Sequence, residues 1–429
     1  MASLARRRVL PRLCLLLVAA CTLSACAIGG RPASTPGPDA EVAIAVQERR
    51  EWVFHEDGVR FDNHLPAARL NAVTRVAAQH YLVTVTPETE PVNPSPWYGF
   101  RVVTTRPQTL RIDFDYPGYR HRYHPKLGSG DGRWREASAR EFVPERDGRP
   151  ARLQVEAGPQ PLLVFAQPPL VPDDFEAWID SIGRTLPIEH SVFGRSVQGR
   201  PLHLFEFGGS DGSPLLIVIG RQHPPENTGS QALFGFVETL AADTPQARAF
   251  RERVRTVVVP LVNPDGIVEG HWRSNLHGKD LNRDWGPFDE PETRALAQAL
   301  LVRSEGAGRR VAFAIDFHST FRDVLYTVAE DPSRRLDGVL GQWIAAMRTQ
   351  SPGLEEKAYA ATSSVFKNWA WCRFGAPAVT YEVGDATSAD ALDALSRHAA
   401  GSLMALLDAT GTDAAPAAPG CEAAAPAPG

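Results

Sequence analysis

The sequence is poor in cysteine and has no excess of basic residues. Five Cys in 429 residues, irregularly placed, cannot build a disulfide framework or a cysteine-rich zinc module. Lys and Arg total 45 against 50 Asp and Glu, a formal charge of −5. No cationic surplus exists to neutralise phosphates, so nucleic acid is excluded as a partner. Beyond the first 26 residues no apolar run is long enough to span a bilayer. Coiled-coil, collagen-like and internal repeats are absent too. What remains, 43% hydrophobic and 22% charged, is the composition of a folded chain with material for two or three domains.

The first residues read as an address. Arg6, Arg7, Arg8 and Arg12 form a basic stretch, and Leu13 to Leu23 is apolar, with the length of a secretory signal rather than a membrane span. Leu23-Ser24-Ala25-Cys26 resembles the bacterial lipobox. The resemblance implies cleavage after residue 25, lipidation of Cys26 and tethering to a membrane of the cell envelope, either periplasmic or at the outer surface. Ordinary signal cleavage near Ala25 is the plainer alternative. Removal takes four Arg and no acid, leaving a more acidic chain whose remaining Cys372 and Cys421 are free thiols or a pair.

Composition then divides the chain. Residues 26–40, rich in Pro and Ser, read as a flexible tether, and 411–429, rich in Ala and Pro, as a disordered tail. Residues 41–168 carry short alternating runs such as Leu110-Arg111-Ile112-Asp113-Phe114, the pattern of an antiparallel β-sandwich. Residues 169–410 change register. Leu215 to Gly220, Thr256 to Val262 and Val311 to Phe317 are near-continuous apolar runs separated by helical stretches such as Thr293 to Arg303 and Ala389 to Leu407. These predict an α/β domain with a mixed, largely parallel sheet flanked by helices.

Candidate chemistry lies after these strands, where ligands collect in α/β folds. His223 and Glu226, three apart, follow the first strand, and His318 ends another. Two His and one Glu form the ligand set of a catalytic zinc with an open position. Each alone is equally well read as a polar cap or a rim histidine. Between them come Asn263-Pro264-Asp265-Gly266, Arg273 and Asp280-Leu281-Asn282-Arg283, and later Glu382 within Thr380 to Gly384.

In this order the motifs resemble the zinc carboxypeptidase family. The resemblance implies one zinc held by His223, Glu226 and His318, with Asp280 fixing the tautomer of a ligand histidine. It implies Arg273 polarising the scissile carbonyl, and Asn282 and Arg283 gripping the free carboxylate of a peptide substrate. Glu382 would be the proton-transferring base. Ser191 to Pro201, Leu163 to Ile182 and Trp97 to Arg101 are similar to the cytosolic carboxypeptidases, where a β-sandwich precedes the peptidase domain. Two departures stand out. Pro225 replaces a customary Gly, stiffening the ligand loop, and an export signal disagrees with a cytosolic setting. By the same resemblance Lys367, fifteen positions before Glu382, lies at the base of the side-chain pocket and implies an acidic C-terminal residue in the substrate. A solvated helix lysine is the alternative reading of Lys367. Tyr359 is a weaker match to the family's substrate-covering tyrosine.

Other functions compete. Gly208-Gly209-Ser210-Asp211-Gly212 has the spacing of a serine-hydrolase elbow, but it precedes a strand where the elbow must follow one. An amidase or deacylase on the same fold would share the zinc residues and act on acylated amino acids or cell-wall peptides. A binding lipoprotein with a decayed site would not keep the whole set.

Overall fold

The structure, a computed structural model, describes residue 44 and residues 46–409. The expected signal segment, Cys26, the tether and the tail lie outside the described residues. Cys372 is disulfide-bonded.

The alternating runs of the first region form two sheets. A six-stranded sheet runs in the order Glu51–Phe54, Val59–Asp62, Gly99–Thr104, Leu162–Phe165, Lys126–Ser129, Trp134–Glu136, antiparallel throughout. The second has five strands, ordered Ala72–Ala77, His80–Thr84, Gln108–Asp115, Ala151–Ala157, Phe142–Val143. The expectation of a purely antiparallel region needs one correction. His80–Thr84 pairs in parallel with Gln108–Asp115, because the chain between them crosses to the other sheet as Gly99–Thr104 and returns in its original direction. Period-two alternation buries Leu110, Ile112 and Phe114 along one strand, against Phe61, Tyr81 and Phe100.

The second region opens with helix Pro172–Thr185. Its eight strands, in sheet order, are Glu189–Arg195, Pro201–Phe207, Arg255–Val259, Leu215–Gly220, Val311–Thr320, Ala378–Gly384, Val324–Val328 and Glu355–Tyr359. The central pairings, Arg255–Val259 through Ala378–Gly384, are parallel, and the outer strands bring antiparallel pairs. Alternate residues of one strand feed different cores. Leu216 and Val218 pack with helices Asn227–Ala241, Val339–Gln350 and Ala389–Ala409. Leu215, Ile217 and Ile219 pack with helices Pro291–Arg303 and Phe366–Phe374. The fold is therefore mixed α/β with helices on both sheet faces. The strand expected to reach Val262 stops at Val259, since Pro260 has no N–H for the ladder. Gly208 to Gly212 is the turn between strands Pro201–Phe207 and Leu215–Gly220.

Three residues of the second region, Phe175, Ile267 and Trp272, are buried in the core of the first, and the described residues group as one compact unit.

One core group of the first region makes stability depend on pH. His121 Nε2 donates to the Tyr123 carbonyl at 2.7 Å, so its Nδ1 carries the lone pair and accepts from the Tyr116 hydroxyl at 3.1 Å. Phe114, Phe142 and Tyr98 surround the ring. Burial pushes its pKa down from 6.5 to about 4. Between those values the unfolded chain binds a proton that the folded chain refuses. The stabilisation is complete above pH 6.5 and is lost as pH falls to about 4. Denaturant unfolding of chelator-treated protein over this range should show a flatter pH slope in His121→Gln, by up to one proton. Identical slopes in the two proteins would refute the assignment.

Candidate metal centre

The centre is assembled at the carboxyl ends of neighbouring parallel strands. Strand Leu215–Gly220 is followed by Arg221, which takes a left-handed backbone conformation (φ 55°), a cost of about 1–2 kcal/mol for a residue with a Cβ. Its buried guanidinium offsets this by donating to the Pro224 carbonyl at 2.7 and 3.0 Å, to Ser230 Oγ at 3.0 Å and to Asn227 Oδ1. The loop 221–227 is thus wound around one side chain, which presents His223 inward and makes Glu226 the N-cap of helix Asn227–Ala241. His318 comes from the next strand, Val311–Thr320. Helix and strand touch without a side chain between them: a Cβ on Gly229 would lie 2.5 Å from the His318 carbonyl oxygen.

His223, Glu226 and His318 are all buried, and their donor atoms lie within 4.8 Å of one another. His223 Nδ1 is 2.9 Å from Glu226 Oε1, His318 Nδ1 is 2.7 Å from Glu226 Oε2, and the two Nδ1 atoms are 3.1 Å apart. The far nitrogens explain this geometry. His223 Nε2 meets Asp280 Oδ1 at 2.9 Å and His318 Nε2 meets Asp316 Oδ2 at 2.7 Å. A carboxylate accepts only, so each Nε2 carries a proton and each neutral ring turns a lone pair inward. Two lone pairs and a carboxylate then face one point, which requires a proton or a metal cation. Nitrogen, nitrogen and carboxylate oxygen suit zinc, and the set is consistent with one zinc ion. Burial pushes the Glu226 carboxyl up, but imidazolium charge on His223 and His318, the protonated alternative to a bound cation, outweighs it and holds the carboxyl well below its usual range.

Asp280 does more than fix His223. Its Oδ2 accepts from Arg273 Nε at 2.7 Å, so one carboxylate orients a metal ligand and an arginine together. Glu382 sits opposite His318 on the adjacent parallel strand. Its Oε2 is buried and has no hydrogen-bond partner. Burial and the Glu226 charge raise its pKa to about 7, against the pull of His318.

The remaining sequence candidates fall nearby. Asn282 places Nδ2 3.3 Å from His318 Nε2, and its Oδ1 accepts from the Phe366 amide at 3.0 Å. That bond ties the segment carrying Arg283 to helix Phe366–Phe374, which bears Lys367. Arg283 is exposed, with one nitrogen on the Asn282 carbonyl at 2.7 Å. Lys367 is only 4% exposed, so the solvated-lysine alternative fails. Its Nζ donates to Asn368 Oδ1 at 2.6 Å, and burial pushes its pKa down to about 8. Tyr359 is exposed beside Tyr326, ring centroids 5.9 Å apart.

Sequence reasoning missed several supporting residues. Asp316 was readable, since residues two apart on a strand share a face and Asp-x-His places a carboxylate beside the imidazole. Gln222 was not: it donates to Asp316 Oδ2 at 2.7 Å and accepts from Trp285 Nε1 at 2.9 Å. Arg122 of the first region bonds Asp385 at 2.7 and 3.0 Å and Ser95 at 2.7 Å, three positions beyond Glu382. No local pattern marks it.

Comparison with known proteins agrees with this geometry. The family model for zinc carboxypeptidase matches residues 175–390. An uncharacterized protein of Zymomonas mobilis is 27% identical over 233 residues, 52% of this chain and 58% of that protein. Mouse cytosolic carboxypeptidase 6 is 30% identical over 135 residues, 29% of this chain and 25% of its own length. The chain thus spans less than two thirds of either curated relative. The crystal structure of a metallo-carboxypeptidase from Burkholderia cenocepacia superposes with a TM-score of 0.68 at 20% identity, covering 82% of this chain and 99% of that one. That likeness concerns the fold.

Proposed function

The chain belongs to the zinc carboxypeptidase family, and from that premise we propose that it hydrolyses the C-terminal peptide bond of peptides, preferring an acidic last residue. The observation that carries the reading is Glu382, poised with an unpartnered oxygen opposite His318 in a three-donor centre. Bound by His223, Glu226 and His318, zinc would supply Lewis acidity and an activated water. Glu382 takes a proton from the attacking water as its oxygen bonds to the carbonyl carbon. It returns that proton to the amine nitrogen when the C–N bond breaks. Burial, which disfavours the charged form of the carboxyl, suits a group that must take up a proton and return it. Arg273, its Nε anchored on Asp280, faces the charge that develops on the carbonyl oxygen. Arg283 pairs with the substrate's terminal carboxylate. Lys367 receives an acidic side chain, because a buried ammonium gains most from a charged partner.

Glu382→Gln should keep near-stoichiometric zinc by metal analysis while kcat falls by about 10²–10⁴-fold. His318→Ala should instead lose the metal. Near wild-type turnover in zinc-loaded Glu382→Gln removes Glu382 from the reaction.

Substrate class is read from synthetic peptides that differ only in the last residue (Glu, Asp, Phe, Leu or Lys), each with a free or an amidated C-terminus, alongside N-acyl amino acids. Free peptides ending in Glu or Asp should be cleaved fastest. Lys367→Ala should erase that preference, and Arg283→Ala should erase the advantage of the free carboxylate. A wild-type preference for Phe or Lys sinks the acidic pocket alone. Equal cleavage of amidated and free peptides, or faster cleavage of N-acyl amino acids, replaces the carboxypeptidase reading with the amidase one.

The setting of the reaction rests on the N-terminal segment, and we propose export and lipid anchoring through Cys26. In cells expressing the full chain, the protein should sediment with membranes and incorporate a labelled fatty acid, and Cys26→Ala should do neither. A Cys26→Ala chain that remains labelled ends the proposal.

A further inference from the structure

The loop that carries Arg273 is built on the first region. It follows helix Pro264–Val268 and turns at Gly270, whose φ is +64° and whose Cβ, if present, would lie 2.6 Å from the Ala68 carbonyl oxygen. Ala67 N donates to the Val268 carbonyl at 3.0 Å. Gln47 Nε2 reaches the Glu269 carbonyl at 2.9 Å. Trp272 is fully buried in the sandwich core, its Nε1 donating to the Trp97 carbonyl at 2.9 Å. At the centre stands Glu88, 0% exposed. Its Oε2 accepts from the Trp272 amide at 2.7 Å, and its Oε1 accepts from the amides of Arg273 at 2.9 Å and Ser274 at 2.7 Å.

Three successive backbone amides converging on one buried carboxylate fix the peptide planes on both sides of residue 273. The side chain of that residue is fixed separately, at Nε, by Asp280, which also holds His223. An arginine pinned at its backbone and at its guanidinium has lost most of its freedom before substrate arrives. Such preorganisation is what stabilising a developing oxyanion requires.

We propose that Glu88 is a positioning residue for Arg273, through which the N-terminal sandwich takes part in transition-state stabilisation. This rests on Arg273 facing the scissile carbonyl oxygen. Burial alone would raise the Glu88 pKa, but His271, Arg69 and the amides outweigh it and keep the group ionised. The charge matters to the geometry. In Glu88→Gln one of the two acceptor positions becomes an N–H donor aimed at an amide N–H, so at least one of the three bonds must break.

The test uses the full chain loaded with zinc and the peptide cleaved fastest in the C-terminal panel. Glu88→Gln should retain zinc, hold KM within about two-fold and lower kcat by about 10- to 10²-fold, the scale of an ångström-level misplacement. Amide hydrogen exchange at residues 272–274 should accelerate. In an Arg273→Ala background, where kcat is already low, Glu88→Gln should change it by less than about two-fold, since the two residues act as one unit. The role is overturned by an unchanged kcat, by unchanged exchange at 272–274, or by an undiminished loss in the Arg273→Ala background. Should Glu88→Gln fail to fold, Glu88→Asp, which keeps the charge and shortens the reach, is judged by the same three readouts. Wild-type kcat in Arg273→Ala has a separate meaning: it overturns the oxyanion reading itself, and the positioning role with it.

Discussion

Two imidazole lone pairs and a carboxylate forced toward one buried point make a demand for positive charge that organises everything around them. Left uncompensated, such a group would cost several kcal/mol in a low-dielectric interior. The chain sustains it by layers. Asp280 and Asp316 hold the outer ring nitrogens, Gln222 and Arg273 hold those carboxylates, and Trp285 holds Gln222. Each layer removes a degree of freedom from the one inside it. The centre is therefore rigid toward rotation of either ring, the property a metal site needs to keep an open coordination position.

The sheet supplies the geometry that side chains alone could not. Strands Leu215–Gly220, Val311–Thr320 and Ala378–Gly384 are parallel neighbours, so their carboxyl ends lie side by side and deliver His223, His318 and Glu382 to one edge. The apolar runs that identify these strands do so because both faces are covered by helices. Polar residues could appear only where the strands end, and there they are concentrated.

Local pattern revealed what local chemistry creates. His-x-x-Glu, Asp-x-Asn-Arg and the strand-end His318 could be read because each motif is short and its spacing is imposed by one loop or strand. Lys367 needed an offset borrowed from a family, and its burial emerged only once helix Phe366–Phe374 was seen to pack against Trp285. Glu88 and Arg122 left no trace in the pattern. Their partners are 184 and 263 residues away, and an isolated Glu or Arg in a loop has an unremarkable neighbourhood. The parallel pair in the second sheet escaped for a related reason: alternation shows which residues face inward, but not the direction of the neighbouring strand.

Trp272 bears on how the chain comes to be folded at all. It occupies the interior of a sandwich whose own strands all lie before residue 166, so that interior is incomplete in a nascent chain until more than a hundred further residues have been made. Until then the sandwich lacks Trp272 in its interior and Glu88 lacks the three amides it accepts from. Contacts of such long sequence separation form late, since loop closure must precede their reward. Locking of the sandwich and placement of the Arg273 backbone are then a single event, and the arginine beside the metal centre is set with the last native contacts.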